Sequence, residues 1–154
     1  MLTLATLYMY RQLKPSNIYR ENFYPYVLTS DRSEKEQDTL SSAYKKGHMT
    51  EVRAIFSTLR SPSARDYFLA ANSFLALGKP DSAIASFRKL LQLDRQLHQH
   101  EFEEDTEYYL AMSYLRAGLI ADALPLFRKI QAEPQHPYHD KVGSWLIRRL
   151  RWAQ

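Results

Sequence analysis

The chain contains no cysteine, which removes disulfides, thiolate metal sites and cysteine nucleophiles and leaves the redox compartment open. Glycine is nearly as scarce, with four in 154 residues, too few for a turn-rich all-β fold and well suited to long helices. Long apolar runs are missing as well. The opening stretch MLTLATLYMYRQL is uncharged only as far as Arg11, short of the roughly twenty apolar residues that a membrane span requires. It has neither the basic start nor the small-residue cleavage site of a signal peptide. Gly-x-Ser-x-Gly, a phosphate-binding Gly-rich loop and His-Glu-x-x-His are all absent, so the sequence offers no nucleophile elbow, nucleotide cradle or zinc helix. It reads as a non-enzyme with no cofactor.

What is present has the balance of an ordinary soluble globular chain: 45% hydrophobic and 25% charged residues, in a length that suits one domain with a continuous core. The formal charge of +4 and a pI near 9.3 permit weak attraction to anionic surfaces. They are too small to imply nucleic acid, which is not expected as a partner.

One stretch organises the rest. ARDYFLAANSFLALGKPDSAIASFRKLL, residues 64–91, recurs further on as DTEYYLAMSYLRAGLIADALPLFRKI. Superposition places Ala71 on Ala111, Phe74 on Tyr114, Gly78 on Gly118, Ala83 on Ala123, Phe87 on Phe127 and Leu90 on Ile130. Small residues at this spacing let two helices approach closely, Gly ends the first helix, and aromatics fill the gap between hairpins. A weaker copy aligns Gly47, Val52, Phe56 and Leu59 with Gly78, Ala83, Phe87 and Leu90, and its first helix carries Leu40, Ala43 and Tyr44.

This pattern resembles the tetratricopeptide repeat (TPR) family, whose repeat is an antiparallel helix pair of about 34 residues. The resemblance implies an all-α fold, a TPR-like α-solenoid of about three antiparallel helix hairpins. The repeats fall at about residues 33–60, 64–95 and 104–132. An N-terminal helical and linker segment, residues 1–30, precedes a repeat domain of residues 31–154 that ends in a capping helix, 139–152. Glycines 47, 78 and 118 lie 31 and 40 residues apart. Ser61-Pro62-Ser63 shortens the first interval, and Ser63 with Asp66 resembles a capping box. The polar insert Gln96–Glu104 lengthens the second. Pro125 lies near its helix start, where at most one backbone bond is lost. Asp140–Trp152 is expected to form one helix, with Trp145-Leu146 falling where Tyr109-Leu110 sits.

At the other end Pro15 breaks the first helical run, Ser16 is expected to cap a short helix, and Pro25 stops it. Met1–Leu13 is open to two readings: a helix packed on the first hairpin, or the end of a longer membrane helix. Phe23-Tyr24-Pro25-Tyr26 resembles the linker that precedes TPR units in some envelope-anchored bacterial proteins; alternatively these aromatics cover the end of the first hairpin. Localisation is therefore open between cytoplasm and envelope.

Candidate chemistry is thin. His98 and His100 with Glu101, Glu103, Glu104 and Asp105 could be drawn as a metal cluster, but alternate residues on a helix diverge and a loop gives them no supporting shell. They read as a solvated loop whose carboxylates favour the next helix start. His136 and His139 flank Pro137-Tyr138 and read as a turn. No metal site is expected. Phe87-Arg88-Lys89 and Phe127-Arg128-Lys129 place basic pairs on the outer wall as solvated charge. The run Lys141, Arg148, Arg149 and Arg151 reads either as solubility charge or as a contact for an acidic partner or membrane surface.

TPR solenoids bind partners in the groove lined by each repeat's first helix. Carried onto this sequence, the groove positions are Gln37, Ser41 and Tyr44; then Phe68, Asn72 and Leu75; then Tyr108, Met112, Leu115 and Arg116, with Arg148 and Arg151 from the last helix. The mixture suits an extended or helical peptide. Gln37 and Ser41 stand where carboxylate-clamp TPR domains place Lys and Asn, which disfavours that subtype. The expected function is a non-catalytic protein–protein scaffold or adaptor, with alanine at Phe68, Asn72, Tyr108 and Met112 weakening partner capture while helicity is kept. The alternatives are self-association through the terminal helices and a soluble accessory domain tethered to the envelope through a missing N-terminal anchor.

Overall fold

The computed structural model describes residues 11–28, 39–98 and 100–154. Among them the chain forms α1 (Pro15–Asn22), α2 (Thr39–Lys45), α3 (Met49–Thr58), α4 (Ala64–Ala76), α5 (Pro80–Leu97), α6 (Glu103–Arg116), α7 (Ile120–Ala132), a 3-10 turn (His139–Lys141) and α8 (Ser144–Ala153), with no strand. The fold is all-α. Residues 1–10, 29–38 and 99 lie outside the described residues, and with them most of the apolar start, the stretch Thr29–Lys35, whose polar, unpatterned sequence reads as a loop, and the groove candidate Gln37.

Three glycines make the hairpins. Gly47, Gly78 and Gly118 have φ of 75°, 74° and 79°, a left-handed conformation that costs other residues steric strain. Around each, the same two bonds close the preceding helix. The glycine N–H donates to the carbonyl three residues back, and the next N–H reaches five back: His48 to Ala43 at 3.0 Å, Lys79 to Phe74 and Leu119 to Tyr114 at 2.8 Å. This is the Schellman arrangement, which satisfies carbonyls that a helix end would otherwise orphan. Each following helix starts two residues after its glycine, so the hairpins share one hinge geometry.

The chain divides into two compact units, residues 24–106 and residues 1–23 with 107–154. In the first, α4 packs on α5, α3 and α2. Ala71 and Ala83 are fully buried, as close helix approach requires, and Phe68, Phe87 and Leu90 fill the core at zero exposure. Ser63 caps α4 as expected: its Oγ accepts from the Asp66 N–H at 3.2 Å while Asp66 accepts from the Ser63 N–H at 2.8 Å. In the second unit Lys129, near the end of α7, donates to Glu107 near the start of α6, an ion pair across antiparallel helices. There α8 packs on α7 and on α1. Pro125 is exposed within α7, which continues through it to Ala132.

Several local expectations are corrected. Helix α1 starts at Pro15, one residue before the expected cap Ser16, because proline's fixed φ suits the first helical position. The expected helix 139–152 splits into the 3-10 turn and α8, with Gly143 extended between them at φ −70° and ψ 158°. Leu59 is the cap residue after α3 and is exposed, so it does not repeat the buried Leu90. Phe102, inside the polar insert, is buried. Arg149 is no solubility charge: it is 5% exposed, and its guanidinium donates to Glu21 at 2.5 Å and to the Gln12 carbonyl at 2.6 Å.

Candidate functional site

The expected groove positions from Ser41 to Arg116 sit on the first helix of each hairpin and Arg148 and Arg151 on α8, and what covers them differs between the two units. In the unit of residues 24–106, Ser41, Tyr44, Phe68, Asn72 and Leu75 are all buried. Residues 23–28 carry no regular secondary structure, and Phe23 has the extended φ of −84° and ψ of 126° that ends α1. Tyr26 meets Phe68 edge-on, with ring centroids 4.7 Å apart and planes at 86°. The Tyr44 hydroxyl donates to the Tyr26 carbonyl at 3.0 Å. Phe102 stacks on Phe68 at 4.8 Å, and Phe87 approaches it at 6.0 Å. Phe68 is therefore the centre of an aromatic cluster that draws one ring from the N-terminal stretch and one from the insert. Asn72 donates to the Phe68 carbonyl at 3.0 Å, and its Oδ1 finds no donor among the described residues.

Burial of Tyr26 pushes its phenol above the usual tyrosine range; Asp105 and Glu101 push the same way and Arg65 opposes them. The phenol is accordingly neutral at physiological pH, fit for apolar packing. Asp94 on α5 is 3% exposed, and neither carboxylate oxygen has a hydrogen-bond partner among the described residues. Burial holds its carboxyl above the ordinary range, His100 pulls it back, and Glu103 and Glu101 add to the rise.

In the second unit Tyr108, Met112 and Leu115 have zero exposure, whereas Arg116 is exposed. The Tyr108 hydroxyl donates to the Asn22 carbonyl at 2.6 Å, and its ring stacks on Tyr138 at 4.2 Å with planes 9° apart. Arg116 lies over the Tyr19 ring at 4.8 Å, and Phe23 meets Tyr109 edge-on at 6.4 Å. Helix α1 and its exit thus contact the same face of α6 from which Tyr108 and Arg116 project. His136 lies in the turn expected of it, among residues 134–138, and is buried. Its Nδ1 accepts from the Tyr138 N–H at 3.1 Å, which puts the proton of the neutral ring on Nε2, 3.7 Å from Glu107. Arg148 and Arg151 are exposed on α8, with Arg148 over the Trp145 ring at 5.9 Å. No group of three or more His, Asp or Glu side chains among the described residues is arranged to hold a metal ion.

Sequence reasoning offered the aromatics around Pro25 as a cover for the end of the first hairpin, where Tyr26 does meet Tyr44, and did not foresee the contacts of Tyr26 with Phe68 or of residues 19–23 with α6. Tyr19, Asn22, Phe23 and Tyr26 all touch groove-bearing helices, and the clustering of aromatics around Pro25 was the available signal.

All-α, with antiparallel hairpins closed by one glycine geometry, the chain falls in the solenoid-like class of helical-repeat proteins. Residues 67–95, most of the α4–α5 hairpin, match the tetratricopeptide repeat family, and the chain carries a tetratricopeptide repeat there. No curated protein matches it. No solved structure does so either.

Proposed function

We propose that this chain is a non-catalytic protein–protein interaction module whose groove positions accept an extended peptide, and that residues 24–28 occupy those of the unit of residues 24–106 in cis. Repeats of this family act generally as protein-interaction scaffolds. The observation that carries the finer reading is the seat of Tyr26: its ring lies on Phe68 and its carbonyl accepts from Tyr44. One aromatic anchor plus one bond to the main chain is how a groove holds an extended peptide, with side-chain pockets for specificity and backbone bonds for affinity. A partner then competes with the chain's own segment, and its apparent affinity is reduced by the fraction of molecules in which that segment is docked.

Phe68, Tyr108 and Met112 are fully buried, so alanine at these positions removes core as well as groove. Helicity would suffer along with binding. The cleaner test leaves the helices intact and weakens the occupant. A fluorescent peptide with the sequence of residues 15–28 is titrated, by polarisation, into the wild-type chain and into Tyr26→Ala. The expected result is tighter binding to Tyr26→Ala, by about tenfold if the anchor contributes the ~1.4 kcal/mol typical of an aromatic contact. Absence of binding to both proteins would count against the groove.

A further inference from the structure

The chain has two tryptophans, Trp145 and Trp152, and both are exposed, at 57% and 56%. Large aromatics on a helix that buries its other side normally point inward, and here Leu146, Arg149 and Leu150 occupy the inward side. Trp145, Arg148 and Trp152 are spaced three and four apart, one outward stripe of α8, with Arg151 beside it. The side chains of the stripe touch one another. The indole rings meet edge-on at 5.9 Å, and Arg148 lies over Trp145 at the same distance. Trp152 also borders a shallow cavity of about 250 Å³ lined by Leu13, Lys14, Pro15 and Ala153. Helix α8 carries no acidic residue, and Glu21 is held by Arg149.

We propose that this face of α8, with Lys14 beside it, is a docking surface for an anionic lipid surface. The proposal is independent of the groove. Two features favour lipid over an acidic protein. Indole rings partition to the headgroup level of a bilayer, apolar body inward and N–H toward water, and guanidinium groups pair with lipid phosphates. Basic residues at an anionic bilayer each add an increment that salt weakens.

The test uses the full chain and tryptophan fluorescence, excited at the red edge where the 11 tyrosines do not absorb, so that it reports on the face that holds both tryptophans. Vesicles of phosphatidylcholine with phosphatidylglycerol are compared with phosphatidylcholine alone, by emission shift and by co-sedimentation. The expected result is a blue shift and co-sedimentation with anionic vesicles only, reversed by high salt. Arg148→Gln with Arg151→Gln should weaken binding roughly thirtyfold. Trp145→Gln with Trp152→Gln should abolish co-sedimentation while the circular dichroism spectrum is unchanged. No shift with anionic vesicles overturns the proposal. So does co-sedimentation that survives the Trp double variant, since another segment would then be responsible. A shift with soluble poly-glutamate but not with vesicles overturns it in favour of an acidic protein partner.

Discussion

The Tyr44 hydroxyl donates to the Tyr26 carbonyl at 3.0 Å, joining the first helix of the first hairpin to a stretch eighteen residues earlier. That bond fixes main chain, so it holds the stretch whatever its side chains are. Tyr44→Phe should cost about 1 kcal/mol, because the carbonyl loses its protein donor while the ring keeps its packing. Tyr26→Ala keeps that carbonyl and its bond but removes the edge-on contact with Phe68, and should cost about 1 kcal/mol or more from the lost ring. Urea denaturation measures both, and an unchanged stability for Tyr26→Ala would mean that the ring contributes nothing to the seat.

The hinge glycines carry a separate prediction. A Cβ built on Gly118 meets nothing within 4 Å, and the same holds at Gly47, so any penalty for alanine there comes from the positive φ and not from crowding. Gly118→Ala should destabilise by about 1 kcal/mol, and Gly118→Asn by less, because asparagine tolerates the left-handed region better. Thermal melts of the two variants separate strain from packing: an asparagine variant worse than alanine would point to crowding.

The hairpins were legible because their causes are local. A glycine that must take positive φ, and small and aromatic residues at helical spacing, each leave a mark within a few positions. The cover on the groove positions was legible only in part: the aromatics around Pro25 offered a cover for the first hairpin, but the Tyr26–Phe68 contact joins residues far apart in sequence and no period announces it. Phe102 was hidden for a similar reason, a lone aromatic in a polar insert that packs on Phe68. Arg149 could have been found. It stands three after Leu146 and one before Leu150, the phase of the buried face, and its basic neighbours disguised it.

That buried arginine sets up a thermodynamic cycle. Glu21 is 43% exposed and Arg149 nearly enclosed, so the pair is asymmetric. Glu21→Ala leaves the guanidinium buried with Gln12 its one remaining acceptor among the described residues, and should cost about 3 kcal/mol. Arg149→Leu removes the buried charge and leaves Glu21 to water, so it should cost less. In the double variant the Glu21→Ala penalty should largely disappear. Additive costs in denaturation would show that the ion pair is not what holds α1 to α8.

Asp94 makes the last prediction, and its sign runs opposite to that of most carboxylates. Burial raises its folded-state pKa above the ordinary value of 3.8, so between the two the folded chain binds a proton that the unfolded chain has released. Stability therefore falls as pH rises through that window and stays lower above it. In its charged form the group is a carboxylate near the end of α5, where the helix dipole also disfavours negative charge, with no hydrogen-bond donor among the described residues. Asp94→Asn keeps the shape and removes the charge. The variant should melt at a higher temperature than wild type at pH 7, and the gap should close as pH falls below the ordinary carboxylate range. Melts of both proteins across that range give the answer directly. A gap that persists unchanged in acid would assign the cost to the polar side chain and not to its charge.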